Sequence, residues 1–183
     1  MTVGALILAA GEGRRFGGTK QLAELDGRPL LEHALAAVAG ISPRVVVLGH
    51  AADEILAAID LQGAEPVVCA GWAEGQAASL RCGLAALDAD AVLVVLGDQP
   101  GITVAAIEAV VTAGGDADAV RATYDGVPGH PVLLRRPLLE RAGELQGDVG
   151  FRDLLRDARV HEIEVGHLAD PADIDTREEL ARR

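Results

Sequence analysis

Short apolar runs alternate with mixed helical segments over the first two thirds of the chain. Residues 5–10, 44–48, 66–69 and 90–96 are runs of apolar, often β-branched residues, which predict buried strands. Apolar positions at helical spacing predict helices over residues 30–38, 53–59 and 104–112. This alternation is typical of βαβ units. It predicts an α/β fold, a three-layer α/β/α sandwich around a mostly parallel, Rossmann-like sheet.

Turn and cap residues refine this pattern. Asp26-Gly27 predicts a short hairpin within residues 21–28, and Asp125-Gly126 predicts another between strands at 119–124 and 127–134. Residues 160–165 alternate like an edge strand, and residues 153–156 predict a short helix. Thr103 is placed to cap one helix, and Thr176 with Glu179 has capping-box spacing before a last helix.

A glycine-rich, cationic loop follows the first strand. Glycines let backbone N–H groups turn towards one point, and cations among them favour an anion, so this loop predicts a phosphate cradle. Its glycines are Gly11, Gly13, Gly17 and Gly18, and its cations are Arg14, Arg15 and Lys20.

Two familiar phosphate loops do not match this segment. In the dinucleotide fingerprint the third glycine would stand one position before Gly17, and the P-loop requires Lys-Ser/Thr where Thr19-Lys20 stands. A plain glycine turn with solvated arginines remains the alternative. Lys20, the single lysine among 16 basic residues, argues for phosphate, which a compact ammonium binds well.

Composition narrows the function classes. The chain has 183 residues, enough for one domain with a sizeable core, and its net charge of −12 argues against nucleic acid or an anionic membrane as a partner. Cys69 and Cys82 are expected to be reduced, partly buried side chains, consistent with a cytoplasmic protein. The N-terminal segment lacks the features of a signal peptide, and no stretch is long enough to span a bilayer.

The loop also carries a family signature. Leu8 to Lys20, which reads LAAGEGRRFGGTK, resembles the signature of the MobA-like nucleotidyltransferases, closest to the molybdenum cofactor cytidylyltransferases. Gly13 stands where that family usually has serine. The resemblance implies a nucleotide-diphospho-sugar transferase type of fold over residues 1–183. It implies nucleotide binding by the loop and by a segment near residue 75, through Leu8, Ala9, Ala10, Gly11, Gly13, Arg15, Lys20, Gly75 and Ser79.

The same resemblance implies a metal site. Asp98 follows the strand at residues 90–96, where ligands bind in open α/β sheets, although such an aspartate is often a turn residue. Asp175 precedes the last helix and would otherwise only cap it. By resemblance both hold Mg²⁺, with Mn²⁺ as a substitute, and Lys20, Arg15 and Asp98 are the catalytic residues.

The acceptor residues implied by the resemblance are Gln99, His130, Asp148 and Arg152. His130 lies between Gly129 and Pro131 and is expected to be rigid and exposed, although a histidine on an edge strand can be inert. Residues 147–152 are similar to the family's G-D-x-G-A-R, with the bulkier Phe151 in place of alanine.

The implied reaction moves a nucleoside monophosphate from a nucleoside triphosphate to the phosphate of an acceptor, molybdopterin first and another phosphorylated metabolite second. Ala9-Ala10-Gly11 favours CTP over GTP within this family. A molybdoenzyme or its maturation chaperone is an expected partner. Two alternatives remain open, a guanylyl- or other nucleotidyltransferase and a non-catalytic module that delivers a cofactor.

Overall fold

The computed structural model describes residues 1–148 and 150–183. One sheet of seven strands forms its centre, in the order β5-β4-β1-β6-β8-β7-β9. All neighbouring strands are parallel except at β8, which runs antiparallel to β6 and β7. The strands are β1 (Val3–Ala9), β4 (Arg44–Leu48), β5 (Glu65–Val68), β6 (Ala91–Leu96), β7 (Ala119–Tyr124), β8 (Val127–Arg135) and β9 (Val160–Glu164). The predicted mostly parallel sheet is confirmed.

Helices cover both faces of this sheet. Alternate residues of β1 point to opposite faces, so Ile7 packs in one apolar cluster with Leu31 and Ile55, and Leu6 packs in the other with Leu80. Both clusters are built largely from Ala, Val, Ile and Leu, as the low aromatic content requires. The helices are α1 (Leu30–Ala37), α2 (Ala52–Ala58), α3 (Gln76–Ala85), α4 (Val104–Thr112), α5 (Arg136–Leu139), α6 (Arg152–Arg156) and α7 (Arg177–Leu180). The three-layer prediction is therefore confirmed.

The turn and cap predictions also match the structure. Strands β2 (Glu24–Leu25) and β3 (Arg28–Pro29) form the predicted hairpin, with Asp26 and Gly27 at positive φ. Thr103 Oγ1 accepts a hydrogen bond from the amide of Ala106, and Thr176 forms a capping box with Glu179. Most predicted bounds differ from the observed ones by one or two residues, because fraying ends depend on tertiary contacts.

The prediction of two reduced cysteines is wrong. Cys69 follows β5, Cys82 lies in α3, and their sulfurs form a disulfide with the two Cα atoms 5.9 Å apart. A spacing of 13 residues does not reveal this proximity, because it arises only when α3 folds back against the end of β5. The disulfide therefore ties the sheet edge to the helix that follows it.

The α-helices of the described residues are short, with α3 (Gln76–Ala85) as the longest among them. Within residues 1–148 and 150–183, the apolar stretches that form helices are all too short to cross a membrane.

Candidate active site

The glycine-rich loop leaves the end of β1 and closes on itself. The amides of Phe16 and Gly17 both donate to the carbonyl of Gly13, at 2.9 and 3.1 Å. Gly13 has a φ of +66°, and a Cβ there would lie 2.7 Å from the carbonyl oxygen of Gly18. The departure from the family's serine therefore coincides with a position where backbone conformation and space both favour glycine.

A buried glutamine fixes the start of this loop. Gln21 lies in a 3-10 helix (Lys20–Leu22) and is only 5% exposed. Its Nε2 donates to the carbonyl oxygens of Ala9 at 2.7 Å and Gly11 at 3.0 Å. Gln21 thereby couples the end of β1 to the turn that carries Lys20. It is a residue that the sequence pattern does not predict, because a glutamine beside a lysine carries no signal of burial.

Lys20, Asp98 and Asp175 form one ionic cluster at the carboxyl ends of β1 and β6. The Nζ of Lys20 lies 2.8 Å from Asp98 Oδ2 and 2.9 Å from Asp175 Oδ1. Arg15 Nη2 lies 2.7 Å from the other oxygen of Asp175. The amide of Ile174 donates to the carbonyl of Asp98 at 3.0 Å, which holds the two carboxylate-bearing segments together. Three segments far apart in sequence thus meet where ligands bind in open α/β sheets.

The cluster shifts the pKa values of its members. Burial lowers the pKa of Lys20, but the charges and hydrogen bonds of the two aspartates outweigh burial and leave that pKa raised. The hydrogen bond from Lys20 holds the pKa of Asp175 below its usual value. Neighbouring Asp173 has a raised pKa because its carboxyl is partly desolvated and lies near the charge of Asp98. The site therefore keeps Lys20 charged while concentrating carboxylates around it.

One cavity, of about 470 Å³, lies between the loop and α3. Trp72 and Ala73 form a wall opposite the loop, and Asp98 reaches the cavity from β6. Seven predicted nucleotide or metal residues line it, namely Leu8, Ala10, Gly11, Gly13, Gly75, Ser79 and Asp98. Ala9 and Lys20 line an adjoining space of about 80 Å³, and the side chain of Arg15 is 76% exposed.

Position 75, directly before α3, is packed too tightly for any residue but glycine. Gly75 has a φ of +118°, and a Cβ there would lie 2.4 Å from Asp148 Oδ1 and 2.7 Å from the carbonyl oxygen of Gly147. Asp148 Oδ1 accepts a hydrogen bond from the amide of Gln76 at 3.2 Å. Asp148, predicted on the acceptor side, therefore contacts α3 and lines the cavity between the loop and α3.

Two further cavities lie beside the antiparallel strand β8. One, of about 390 Å³, is lined by Arg152 and Phe151, and the other, of about 740 Å³, by Gln99 and Tyr124. His130 lines both. Gln99 is 5% exposed, and its Nε2 donates to Asp173 Oδ1 and to the carbonyl of Pro171, both at 2.8 Å. The buried Gln99 thus holds the exposed residue Asp173 next to the ionic cluster, and the role of Asp173 was not evident from the sequence.

The sequence predicted an exposed His130, but in the structure His130 is half-buried. Its ring packs edge-on against Phe151, with centroids 5.5 Å apart, and its Nε2 is buried without a hydrogen-bond partner among the described residues. Burial lowers the pKa of His130 to about 4, so the ring is neutral at physiological pH. The expectation failed because exposure of a strand residue depends on what packs over it, here Phe151.

Gln76 joins the two sides of the site. It lines the cavity between the loop and α3 and both cavities beside β8. A Cβ on Gly150 would lie 2.6 Å from Gln76 Oε1, so the backbone at Gly150 packs directly on this amide. In the sequence, only the position of Gln76 directly after Gly75, at the start of α3, could have indicated that this residue belongs to the site.

The donor set suits a hard divalent cation. No group of three or more His, Cys, Asp or Glu side chains in the described residues is arranged to hold a metal. Asp98 and Asp175 nevertheless converge on one point, and Asp98 Oδ1 is buried without a partner among those residues. Two carboxylates complemented by phosphate oxygens and waters are ligands that Mg²⁺ and Mn²⁺ prefer.

Comparison with known proteins identifies relatives over the whole fold. Nicotine blue oxidoreductase of Paenarthrobacter nicotinovorans is 32% identical over 98% of this chain and 95% of its own length. Bifunctional protein GlmU of Streptomyces griseus is 36% identical over 90% of this chain, which spans only 36% of that protein.

Solved structures agree with this result. Rv0371c from Mycobacterium tuberculosis H37Rv is 30% identical with a TM-score of 0.88, covering 100% of this chain and 96% of that one. A structure of Rv0371c in complex with manganese is similar at 28% identity and a TM-score of 0.82, covering 100% and 97%. The family model described as the MobA-like NTP transferase domain matches residues 5–163. The chain therefore belongs to the MobA-like NTP transferase family of nucleotidyltransferases, as the Leu8 to Lys20 segment predicted.

Proposed function

We propose that this protein transfers CMP from CTP to the phosphate of molybdopterin or the molybdenum cofactor and releases pyrophosphate, with Mg²⁺ as the metal. The observation that carries the proposal is the cluster of Lys20, Asp98 and Asp175 at the edge of a cavity lined by the glycine-rich loop. A module that only delivered a cofactor would need the loop but not two carboxylates converging beside it.

The loop and Lys20 are suited to the triphosphate. Backbone amides and the ammonium offer hydrogen bonds and positive charge to phosphate oxygens, and Arg15, which contacts Asp175, adds a second cation to the ionic cluster. Cations fixed in place before the reaction stabilise the charge that develops on the departing pyrophosphate. Asp98 and Asp175 would hold the metal, which when bound polarises the phosphoryl group and neutralises its charge.

The reaction requires orientation more than proton transfer. A phosphate oxygen of the acceptor attacks the α-phosphorus in line, a new P–O bond forms, and the bond to the bridging oxygen of the β-phosphate breaks. Pyrophosphate takes that oxygen and its electron pair. The attacking oxygen is already ionised at neutral pH, so no general base is needed. Gln76, which lines the cavities on both sides, is placed to orient the two substrates.

The choice of nucleotide is supported by the loop. Ala10 and Gly11 line the nucleotide cavity, and Ala9 lies directly behind them against the buried amide of Gln21. Family members that use cytosine tend to have Leu-Ala-Ala-Gly at this point, and members that use guanine tend to have Leu-Ala-Gly-Gly. The sequence Leu8 to Gly11 therefore favours CTP.

The acceptor cavity restricts the acceptor. Three carboxylates, Asp125, Asp170 and Asp173, line the 740 Å³ cavity, and its described lining includes neither lysine nor arginine. This wall suits a neutral head group rich in N–H or O–H donors and disfavours one with several negative charges. The same observation supports a second candidate, transfer to another monophosphorylated metabolite with an uncharged head.

A pyrophosphate-release assay tests the proposal. Each of the four nucleoside triphosphates is combined with Mg²⁺ or Mn²⁺ and with a panel of phosphorylated acceptors that includes molybdopterin and molybdenum cofactor. We expect release with CTP and a molybdopterin-type acceptor. Release with a different nucleotide or acceptor would assign another nucleotidyltransferase reaction, and CTP binding without release under any combination would favour the delivery module.

A further inference from the structure

We propose that Lys20 is the resident cation of the metal site, and that it must leave Asp98 and Asp175 before a divalent ion can bind there. The inference rests on the metal role of these two aspartates in the proposed function. It adds that metal and nucleotide binding are coupled through the displacement of one ammonium group.

The geometry places the ammonium in the position of a metal ion. The Nζ of Lys20 contacts one oxygen of each carboxylate, at 2.8 and 2.9 Å, so it bridges the pair as a divalent ion would. The lysine side chain is only 13% exposed, whereas the two aspartate side chains are 28% and 26% exposed. A cation arriving from solvent therefore reaches the carboxylates but finds their shared point occupied.

Competition follows from charge. Two carboxylates cannot keep a close ammonium and accept a divalent cation at one point, because the two cations repel each other at short range. The ammonium that leaves needs a new anionic partner, and the phosphates of a bound nucleotide provide one. Without nucleotide, a displaced Lys20 would be partly buried and unpaired, which is costly.

The structure offers room for this movement. A space of about 80 Å³ adjoins the cluster and is lined by Lys20, Gly11, Gly13 and Asp98, among others. Gly11 and Gly13 also line the nucleotide cavity. The long, flexible stem of a lysine can carry its charge from the carboxylates towards the loop amides, where a triphosphate would lie. A planar guanidinium of the same charge lacks that freedom.

The consequence is cooperative binding. Metal alone should bind weakly, because it must break two ion pairs, and nucleotide alone should draw Lys20 away and expose the carboxylates. Coupling between two ligands through one shared element commonly amounts to roughly 5–150-fold in affinity, and it acts equally in both directions. We expect nucleotide to tighten metal binding by about tenfold or more, which lies within that range.

The first experiment removes the competing ammonium. Mn²⁺ affinity is measured by electron paramagnetic resonance in the absence of nucleotide and acceptor, for the wild type, Lys20→Met and Lys20→Arg. Lys20→Met should bind Mn²⁺ about tenfold or more tightly than the wild type, while Lys20→Arg should stay weak. Arg28→Met, which removes an exposed positive charge elsewhere, controls for the change in net charge. Equal or weaker Mn²⁺ binding by a folded Lys20→Met would overturn the proposal.

A second experiment uses the unaltered protein, so that it does not depend on the folding of a variant. Because the chain has a single lysine, lysine labelled with ¹³C at Cε gives one side-chain signal in the spectrum. That signal should move when Mg²⁺ and CTP are added together, and only slightly with Mg²⁺ alone. A signal that stays unchanged in the presence of saturating Mg²⁺ and CTP means that Lys20 keeps its partners, and it overturns the proposal.

These outcomes are separate from those of the proposed function. If Mn²⁺ competition and the lysine signal behave as expected but no pyrophosphate is released from CTP, the displacement stands and the assigned reaction fails. If pyrophosphate is released while Lys20→Met leaves Mn²⁺ affinity unchanged, the assigned reaction stands and the displacement fails.

Discussion

The proposed nucleotide side and the proposed acceptor side of the site are built in different ways. The nucleotide side lies at the ends of the parallel strands β1 and β6 and is held by short ionic contacts among Lys20, Asp98 and Asp175. The acceptor side lies beside the antiparallel strand β8 and is lined by the buried Tyr124, by the half-buried His130 and by carboxylates such as Asp173. The first side pairs its carboxylates with cations, whereas the described lining of the 740 Å³ cavity on the second side has carboxylates but no lysine or arginine.

This difference explains why the two sides differ in how well sequence predicts them. A phosphate cradle requires particular residue types at close spacing, because charge and backbone freedom must converge on one small group. An acceptor surface is assembled from β8, residues 150–152 and the 166–173 segment, and many residue combinations can produce its shape. Changes on the nucleotide side should therefore reduce turnover, whereas changes on the acceptor side should alter acceptor affinity.

The largest expected effect is the loss of a carboxylate. Asp98→Asn and Asp175→Asn each remove charge from the metal position and should lower kcat/KM for CTP by roughly a hundredfold to a thousandfold. Pyrophosphate release measures the loss, and melting temperature confirms that the variants fold. Asp26→Asn, in an exposed turn where asparagine also tolerates positive φ, should behave like the wild type. Near-normal activity of Asp175→Asn at limiting Mg²⁺ would reduce that residue to an ion-pair partner of Lys20 and Arg15.

The next effect concerns the kind of cation at position 20. Lys20→Ala should lower kcat/KM for CTP by roughly a hundredfold, because a phosphate contact made in the transition state is lost. Lys20→Arg should restore little, since a planar guanidinium does not fit the space of a compact ammonium. Both are compared with the wild type in rate and melting temperature. Full activity in Lys20→Arg would show that charge alone suffices on this side.

On the acceptor side, His130→Gln should change the stability of the protein at low pH. It should also change the affinity for the acceptor. The folded protein keeps His130 neutral down to about pH 4, while the unfolded chain accepts a proton near pH 6.5. Between these values the unfolded state binds more protons, so the free energy of unfolding falls as pH falls. His130→Gln should remove up to about 3 kcal/mol of this decrease. Urea denaturation at pH 7 and pH 4.5 measures it, and an unchanged pH dependence would contradict the buried neutral ring.

The activity of the same variant sharpens the comparison between the two sides. We expect a higher KM for the acceptor and an unchanged KM for CTP, because His130 lines the cavities beside β8. A larger change in KM for CTP than for the acceptor would show that the two sides are not separable.

The smallest effect is expected at Arg152, which lies on α6 and lines the 390 Å³ cavity. An exposed cation contributes up to about 1 kcal/mol to an ionic contact, so Arg152→Ala should raise the acceptor KM by about fivefold at most. Arg156→Ala, on the same helix and paired with Asp153, is the matched control. The two variants should differ in acceptor KM at low salt and converge at high salt. Equal values at low salt would remove Arg152 from the acceptor side.

Local chemistry in the sequence determined the elements and the family. The apolar runs that became β1, β4 and β6, the capping box at Thr176, and the glycine-rich loop are all local, because each depends on residues within a few positions of one another. Periodicity, turn chemistry and motif spacing act at this range. The sequence could therefore predict an α/β sandwich with a phosphate loop, and it placed Asp98 directly after a strand.

Tertiary structure alone decided what depends on distant segments meeting. It brought Asp175 to Lys20 across 155 positions, paired Cys69 with Cys82, covered His130 with Phe151, and buried Gln21 against the end of β1. Which side chains become buried or paired depends on neighbours that are distant in sequence, and a local sequence pattern does not identify them. The sequence therefore predicted Lys20 as a phosphate ligand, and only the folded structure shows that its ammonium lies between Asp98 and Asp175.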